Sequence, residues 1–153
     1  MILPAQQIRA IEPSIILPFR ERTLHSESGM TFGLGPAGYD VRIEQSVFLM
    51  PGAFALASTA EKFDMPTDVI AFVHDKSSWA RKGLACQNTV IEPGWCGFLT
   101  LELTNHGYEP IEIKSGSPIA QIIFHWLSEP TEAPYKGKYQ NQQRGPQPAI
   151  FEK

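Results

Sequence analysis

Cysteine is scarce: the 153 residues contain only Cys86 and Cys96. Two cysteines cannot build a disulfide framework, and their spacing is not the CxxC of a metal site or redox pair. An excess of positive charge is also missing. Thirteen lysines and arginines face sixteen acidic residues, for a formal charge of −3, so no global field attracts duplex nucleic acid or anionic lipid. A polyanionic ligand must then be caught by a local pocket. No apolar run approaches the roughly 20 residues that span a bilayer. No basic stretch followed by an apolar segment and a small-residue cleavage site opens the chain, and a reducing cytoplasm is the expected compartment. Neither GxxxxGK[ST] nor a GxGxxG after a strand is present, which removes the P-loop and dinucleotide-binding folds. The four histidines, His25, His74, His106 and His125, form no HExxH pair. The His-x-Glu and Pro-Cys-x-x-Cys pattern of a zinc-bound hydroxide is absent too, so zinc is not implied.

What is present is a core-forming composition, 42% hydrophobic and 19% charged, of a length that fits one domain over residues 1–153. Twelve glycines and thirteen prolines are too many for an all-helical protein, because each breaks helix interiors. One short helix is expected over Leu3 to Ile11, where Ile8 and Ile11 share a helical face and Pro4 sits in a first turn. Pro13 to Pro36 is irregular, with Ser26-Glu27-Ser28-Gly29 as a turn. Beyond it, Tyr39–Ile43, Ser46–Met50, Ala53–Thr59, Val69–Val73, Phe98–Asn105, Ile111–Ile113 and Ile119–Trp126 read as strands, broken at Pro51-Gly52 and Met65-Pro66. Short strands separated by turns predict an all-β sandwich, jelly roll or barrel. The polar stretch from Tyr135 to Lys153 reads, by composition, as a mobile tail.

Three segments could carry chemistry. Lys76-Ser77-Ser78-Trp79-Ala80-Arg81 follows an apolar strand and opens a short helix, where free N–H groups, two hydroxyls and Arg81 could cradle phosphates. Alternatively Ser77 or Ser78 only caps the helix, with Arg81 solvated. Trp79 is read as packing. In Thr89-Val90-Ile91-Glu92-Pro93-Gly94-Trp95, the Glu92 carboxylate at a Pro-Gly turn could accept a sugar hydroxyl or activate water; it could equally only start the turn. In Phe98 to Thr104, alternation sends Leu99, Leu101 and Leu103 to one face and Phe98, Thr100, Glu102 and Thr104 to the other. If a neighbouring subunit covers that second face, the carboxylate of Glu102 loses water, its pKa rises and it can shuttle protons near neutral pH. Uncovered, it is a surface glutamate.

Taken in order from about Gly38 to Gln143, these segments resemble the dCTP deaminase branch of the dCTP deaminase and dUTPase superfamily. Gly38-Tyr39-Asp40-Val41-Arg42 is similar to an early family strand, and Lys76 to Arg81 to the R-S-S-L-A-R phosphate segment. Ile91-Glu92-Pro93-Gly94-Trp95-Cys96-Gly97 is similar to I-D-P-G-W-x-G, and Thr100-Leu101-Glu102 to the segment that ends in the catalytic glutamate. Ile119 to Phe124 resembles a strand shared by both branches, and Lys138-Tyr139-Gln140-Asn141-Gln142-Gln143 resembles K-Y-x-N-Q-Q. The glycine-rich segment that dUTPases carry there is missing. The resemblance implies a distorted β-barrel or jelly roll in a homotrimer, with active sites between subunits. It further implies dCTP hydrolysed to dUTP and ammonia with Glu102 as general base and then acid. Lys76, Ser77, Ser78 and Arg81 would hold the triphosphate or position the water, with Thr100 also binding substrate and Glu92 on the 3′-hydroxyl. Gln121 and Tyr135 would line the nucleoside. Lys138 and Gln142 would fold over phosphates that carry Mg2+, making the tail a lid.

Three features depart from the deaminase pattern. Lys76 replaces arginine and loses its bidentate fork; Glu92 replaces aspartate and reaches one methylene further; and Leu84 to Glu92 is shorter, closer to the dUTPase hairpin. These keep two other readings open: a dUTP pyrophosphohydrolase, alone or in a bifunctional enzyme, and a non-catalytic nucleotide-binding regulator.

Overall fold

The computed structural model describes residues 1–151. Its elements are α1 (Ala5–Ala10), β1 (Ile16–Leu17), β2 (Thr23–Leu24), β3 (Thr31–Gly35), β4 (Gly38–Arg42), β5 (Val47–Leu49), β6 (Phe54–Asp64), β7 (Val69–Asp75), α2 (Ser77–Ala80), β8 (Leu84–Cys86), β9 (Val90–Ile91), β10 (Cys96–Asn105), β11 (Ile111–Ile113) and β12 (Pro118–Trp126). The all-β expectation holds, and the paired strands are antiparallel throughout. They form a six-stranded sheet in the order β2-β3-β4-β12-β7-β9, a four-stranded sheet in the order β1-β6-β10-β8, and a β11-β5 ribbon. The helix expected over Leu3 to Ile11 is α1, which buries Ile8 and is tied to the chain by the Ala5 N–H on Pro36 O at 2.9 Å.

Alternation positions the core. Along β10 every second residue from Gly97 to Asn105 is buried while the residues between them are half-buried. Leu99, Leu101 and Leu103 join Phe63 from β6, Tyr39 and Val41 from β4, and Ile122 and Phe124 from β12 in one apolar cluster. Fully burying such a side chain stabilises the fold by about 1.5–3 kcal/mol. One charge sits inside: Glu61 is fully buried and receives the Arg42 Nε at 2.7 Å and the Arg42 backbone N–H at 2.9 Å. The Arg42 guanidinium lies 4.6 Å from the centre of the Phe32 ring, so the pair is completed by an aromatic face.

The tail departs from expectation. Polar composition predicted a mobile segment, but residues 139–142 are bonded to the start of β10. Asn141 N–H donates to Cys96 O at 2.9 Å and Phe98 N–H to Gln142 O at 3.0 Å, with a parallel bridge between Gly97 and Gln142. The reason is backbone demand. Strand β8 pairs with β10 only from Leu103 to Asn105, so the first residues of β10 have an open edge that the tail fills. Gly97 permits the approach, since a Cβ there would lie 2.7 Å from Gln142 N.

Candidate active site

The outer face of β10 and β6, the segment 87–95 and the docked tail line a cavity of about 750 Å3. Six of the residues singled out from the sequence line it: Glu92, Thr100, Glu102, Tyr135, Lys138 and Gln142. Glu102 points away from the core, as alternation predicts, and stands directly opposite Leu56 of β6. One of its carboxylate oxygens, Oε2, is buried without a hydrogen-bond partner. Loss of water is the main cause that holds this carboxyl above the usual carboxylate range. An unpartnered buried carboxylate oxygen is costly for a fold to keep, and proton transfer is a task that needs it. Burial, with the carboxylates of Glu102 and Asp75 nearby, pushes the Cys86 thiol up to about 12, so Cys86 is no nucleophile near neutral pH.

The cavity's rim is built by turns. Glu92 to Trp95 closes with Trp95 N–H on Glu92 O at 3.1 Å, Pro93 second and Gly94 third at φ +81°, the type II arrangement in which glycine takes the left-handed position. A Cβ on Gly94 would lie 2.7 Å from the Pro134 side chain, so this turn also lets Tyr135 approach, its N–H on Pro93 O at 2.8 Å. Trp95 Nε1 donates to Tyr139 O at 2.7 Å, and Tyr139 N–H donates to the Tyr135 hydroxyl at 3.2 Å. Thr100 Oγ1 accepts from Gln142 Nε2 and from Gln147 N–H at 2.9 Å.

The other singled-out residues are elsewhere. Lys76, Ser77, Ser78, Arg81 and Gln121 do not line this cavity. Helix α2 begins after an extended Lys76, with no side-chain cap bond, so neither serine acts as the cap that the sequence allowed. Ser77, Ser78 and Arg81 are exposed. Lys76 is committed: its Nζ is 2.6 Å from Asp40 Oδ2, both side chains mostly buried. Gln121 of β12 lies between Asp40 of β4 and His74 of β7. Ser78 opens on a second cavity of about 480 Å3, with Lys82, Lys114 and Glu27. Trp79 is buried and its Nε1 donates to Pro118 O at 2.7 Å, a packing role as read from the sequence. Sequence reasoning did not single out Leu56, Phe54 and Gln147, which also line the Glu102 cavity; only the cross-strand register and the tail's docking reveal them. Among the described residues, no group of three or more His, Cys, Asp or Glu side chains is placed to hold a metal ion.

A family model described as dCTP deaminase-like matches residues 39–127. The chain belongs to the dCTP deaminase-like family. The match takes in strand β4, the α2 segment, the Glu92 turn, Glu102 and β12. Among its relatives, the dCTP deaminase of Pyrococcus horikoshii is 35% identical over 159 residues, covering 94% of each chain. A dUMP-forming dCTP deaminase of Kocuria rhizophila is 42% identical over 113 residues, 70% of this chain and 59% of that one. Among solved structures, native EIAV dUTPase aligns with a TM-score of 0.55 at 24% identity, over 66% of this chain and 84% of that one. A mutant dUTPase of S. aureus phage phi11, with a structural Mg(II) ion, aligns with a TM-score of 0.59 at 18% identity, over 78% and 97%. These two likenesses establish a dUTPase-like fold.

Proposed function

We propose that this protein hydrolyses dCTP to dUTP and ammonia in the cytoplasm. The observation that carries the reading is Glu102, half-buried in a cavity with one carboxylate oxygen unpartnered. Membership of the dCTP deaminase-like family and relatives named dCTP deaminase support the substrate and do not favour a dUTPase acting alone or a non-catalytic regulator.

The chemistry follows from what deamination demands. Water oxygen bonds to C4 of cytosine and the C4–N4 bond breaks, so water must lose protons while N3 and the leaving nitrogen gain them. A single carboxylate can do both. Glu102 takes the proton of the attacking water as general base and returns it, as general acid, toward N3 and then the departing ammonia. Its raised pKa suits that exchange near neutral pH. Glu92 on the rim holds the sugar 3′-hydroxyl and Tyr135 packs beside the sugar. Lys138 and Gln142 reach the phosphates. Mg2+ would be carried by the nucleotide, beside Lys138 and Gln142, and would offset negative charge.

The remaining groups call for a second protomer. Ser77, Ser78, Arg81 and Gln121 lie outside the Glu102 cavity of their own chain. A distorted-barrel protomer in a homotrimer would bring these groups from one copy to the Glu102 cavity of the next. There Ser77, Ser78 and Arg81 supply phosphate donors, while Lys76, tied to Asp40, fixes the segment. The tail acts as the lid that excludes water once nucleotide is bound.

The test is to incubate the protein with dCTP and with dUTP, each with magnesium, and to follow ammonia and pyrophosphate separately. Ammonia from dCTP is the expected result, and its absence from folded protein rejects the reading. Pyrophosphate in addition would mark the dUMP-forming version of the reaction, as in the name of the Kocuria relative.

A further inference from the structure

The two flanks of Glu102 differ in chemistry. On one side runs the loop between β8 and β9, whose Gln87 N–H donates to Glu102 O at 3.0 Å and from which Thr89 lines the cavity beside Val90, while Gln87 and Asn88 are exposed. On the other side lies β6, where Leu56 stands directly opposite Glu102 and Phe54 directly opposite Thr104. Both line the cavity. Leu56 is half-buried and Phe54 is 58% exposed, so the β6 flank is an apolar wall that opens outward.

A cytosine whose C4 meets Glu102 has two unlike edges. N3 and O2 require hydrogen-bond partners, and placing them against leucine and phenylalanine would leave them unsatisfied. C5 and C6 carry only C–H groups and lose nothing there. The polar edge therefore turns to the 87–89 loop and C5 turns to β6.

We infer that Leu56, with Phe54 beside it, is the wall that faces C5 of the pyrimidine, and that the protein accepts deoxycytidine triphosphates alkylated at C5, 5-methyl-dCTP in particular. This rests on the deamination reading above. Burying one methyl against an apolar side chain favours binding by up to about fourfold, so the added group is not a handicap.

The test compares kcat/KM for 5-methyl-dCTP and dCTP by ammonia release, using the full chain. The ratio within one preparation does not depend on how much of it is folded. A 5-methyl value within about fivefold of dCTP, or above it, is expected, and a larger deficit overturns the inference. In Leu56→Asn the wall becomes polar, and the 5-methyl to dCTP ratio should fall by about fivefold or more; an unchanged ratio overturns the assignment of Leu56. Should that variant fail to fold, Leu56→Val enlarges the space, and 5-ethyl-dCTP should gain on dCTP; no gain counts against the wall. Ammonia from dCTP but not from 5-methyl-dCTP defeats this inference alone. Ammonia from neither defeats the deamination reading and this inference with it.

Discussion

On the proposed function the cavity around Glu102 and the segment 76–81 act on the same nucleotide, yet they are built in opposite ways. The first is enclosed by its own chain: the tail is bonded to the β10 edge, Trp95 holds Tyr139, and Thr100 takes two donors from the tail. The second is open, with Ser77, Ser78 and Arg81 exposed, while Lys76 is tied down by Asp40 and Trp79 is buried on Pro118. A carboxylate that must move protons gains from burial, because lost water raises its pKa. Phosphate donors keep their charge and hydrogen-bonding capacity while exposed, and can be presented to another surface. On the proposed function each half is in the state its chemistry needs, and assembly of copies would be the step that joins them.

The sharpest way to break this comparison is to divide the halves between two proteins. Glu102→Gln and Arg81→Ala, each nearly inactive alone, should regain roughly a quarter of wild-type ammonia release when unfolded and refolded together, the fraction of random neighbours with both halves intact. No recovery in mixed oligomers would place both halves within one protomer. Next in size is the tail. Truncation after Gly137 removes Lys138 and Gln142 and unroofs the cavity, and should lower kcat/KM for dCTP by about 10²-fold, the scale set by losing a positioning element. Normal kinetics would show that the tail is not a lid.

Much of this division was legible in the sequence. The face of β10 that carries Glu102 follows from alternation over Phe98 to Thr104, and the long strands β6, β7, β10 and β12 carry apolar runs that announce them. Strands β1, β2, β8 and β9 have only two or three residues each, too few for a period to register. β3 has glycine at its centre and end, which hides its alternation. The docked tail was illegible for another reason: its partners include backbone groups of Gly94, Cys96 and Phe98, more than forty residues away, and composition does not report an open strand edge. That five of the residues expected to bind substrate lie outside the cavity is likewise a property of topology, which local motifs do not reveal.

Smaller effects sharpen the contrast in electrostatics. Burial holds the Glu102 carboxyl above its ordinary range, so its contribution to stability is fully present below the unfolded pKa of about 4.3. That contribution is lost as pH rises through the higher folded value. Glu102→Gln removes the loss. Its Tm should exceed that of the wild type by a few degrees at pH 8 and match it at pH 4, as scanning calorimetry would reveal. The smallest effect is expected at Arg144, whose Nη1 pairs with Glu44 at 2.8 Å and whose guanidinium lies 4.8 Å from the centre of the Phe98 ring. Arg144 is exposed and Glu44 half-buried, so Arg144→Ala should change stability by about 0.2–1 kcal/mol and leave kcat for dCTP unchanged, by urea unfolding and steady-state kinetics.

Ammonia release by Glu102→Gln, measured beside its binding of magnesium dCTP, probes the proton-transfer role without ambiguity. Retained binding with ammonia release reduced about 10²–10⁴-fold, the range for a lost general acid and base, is the predicted result. A variant that binds dCTP and frees ammonia at the wild-type rate would contradict it.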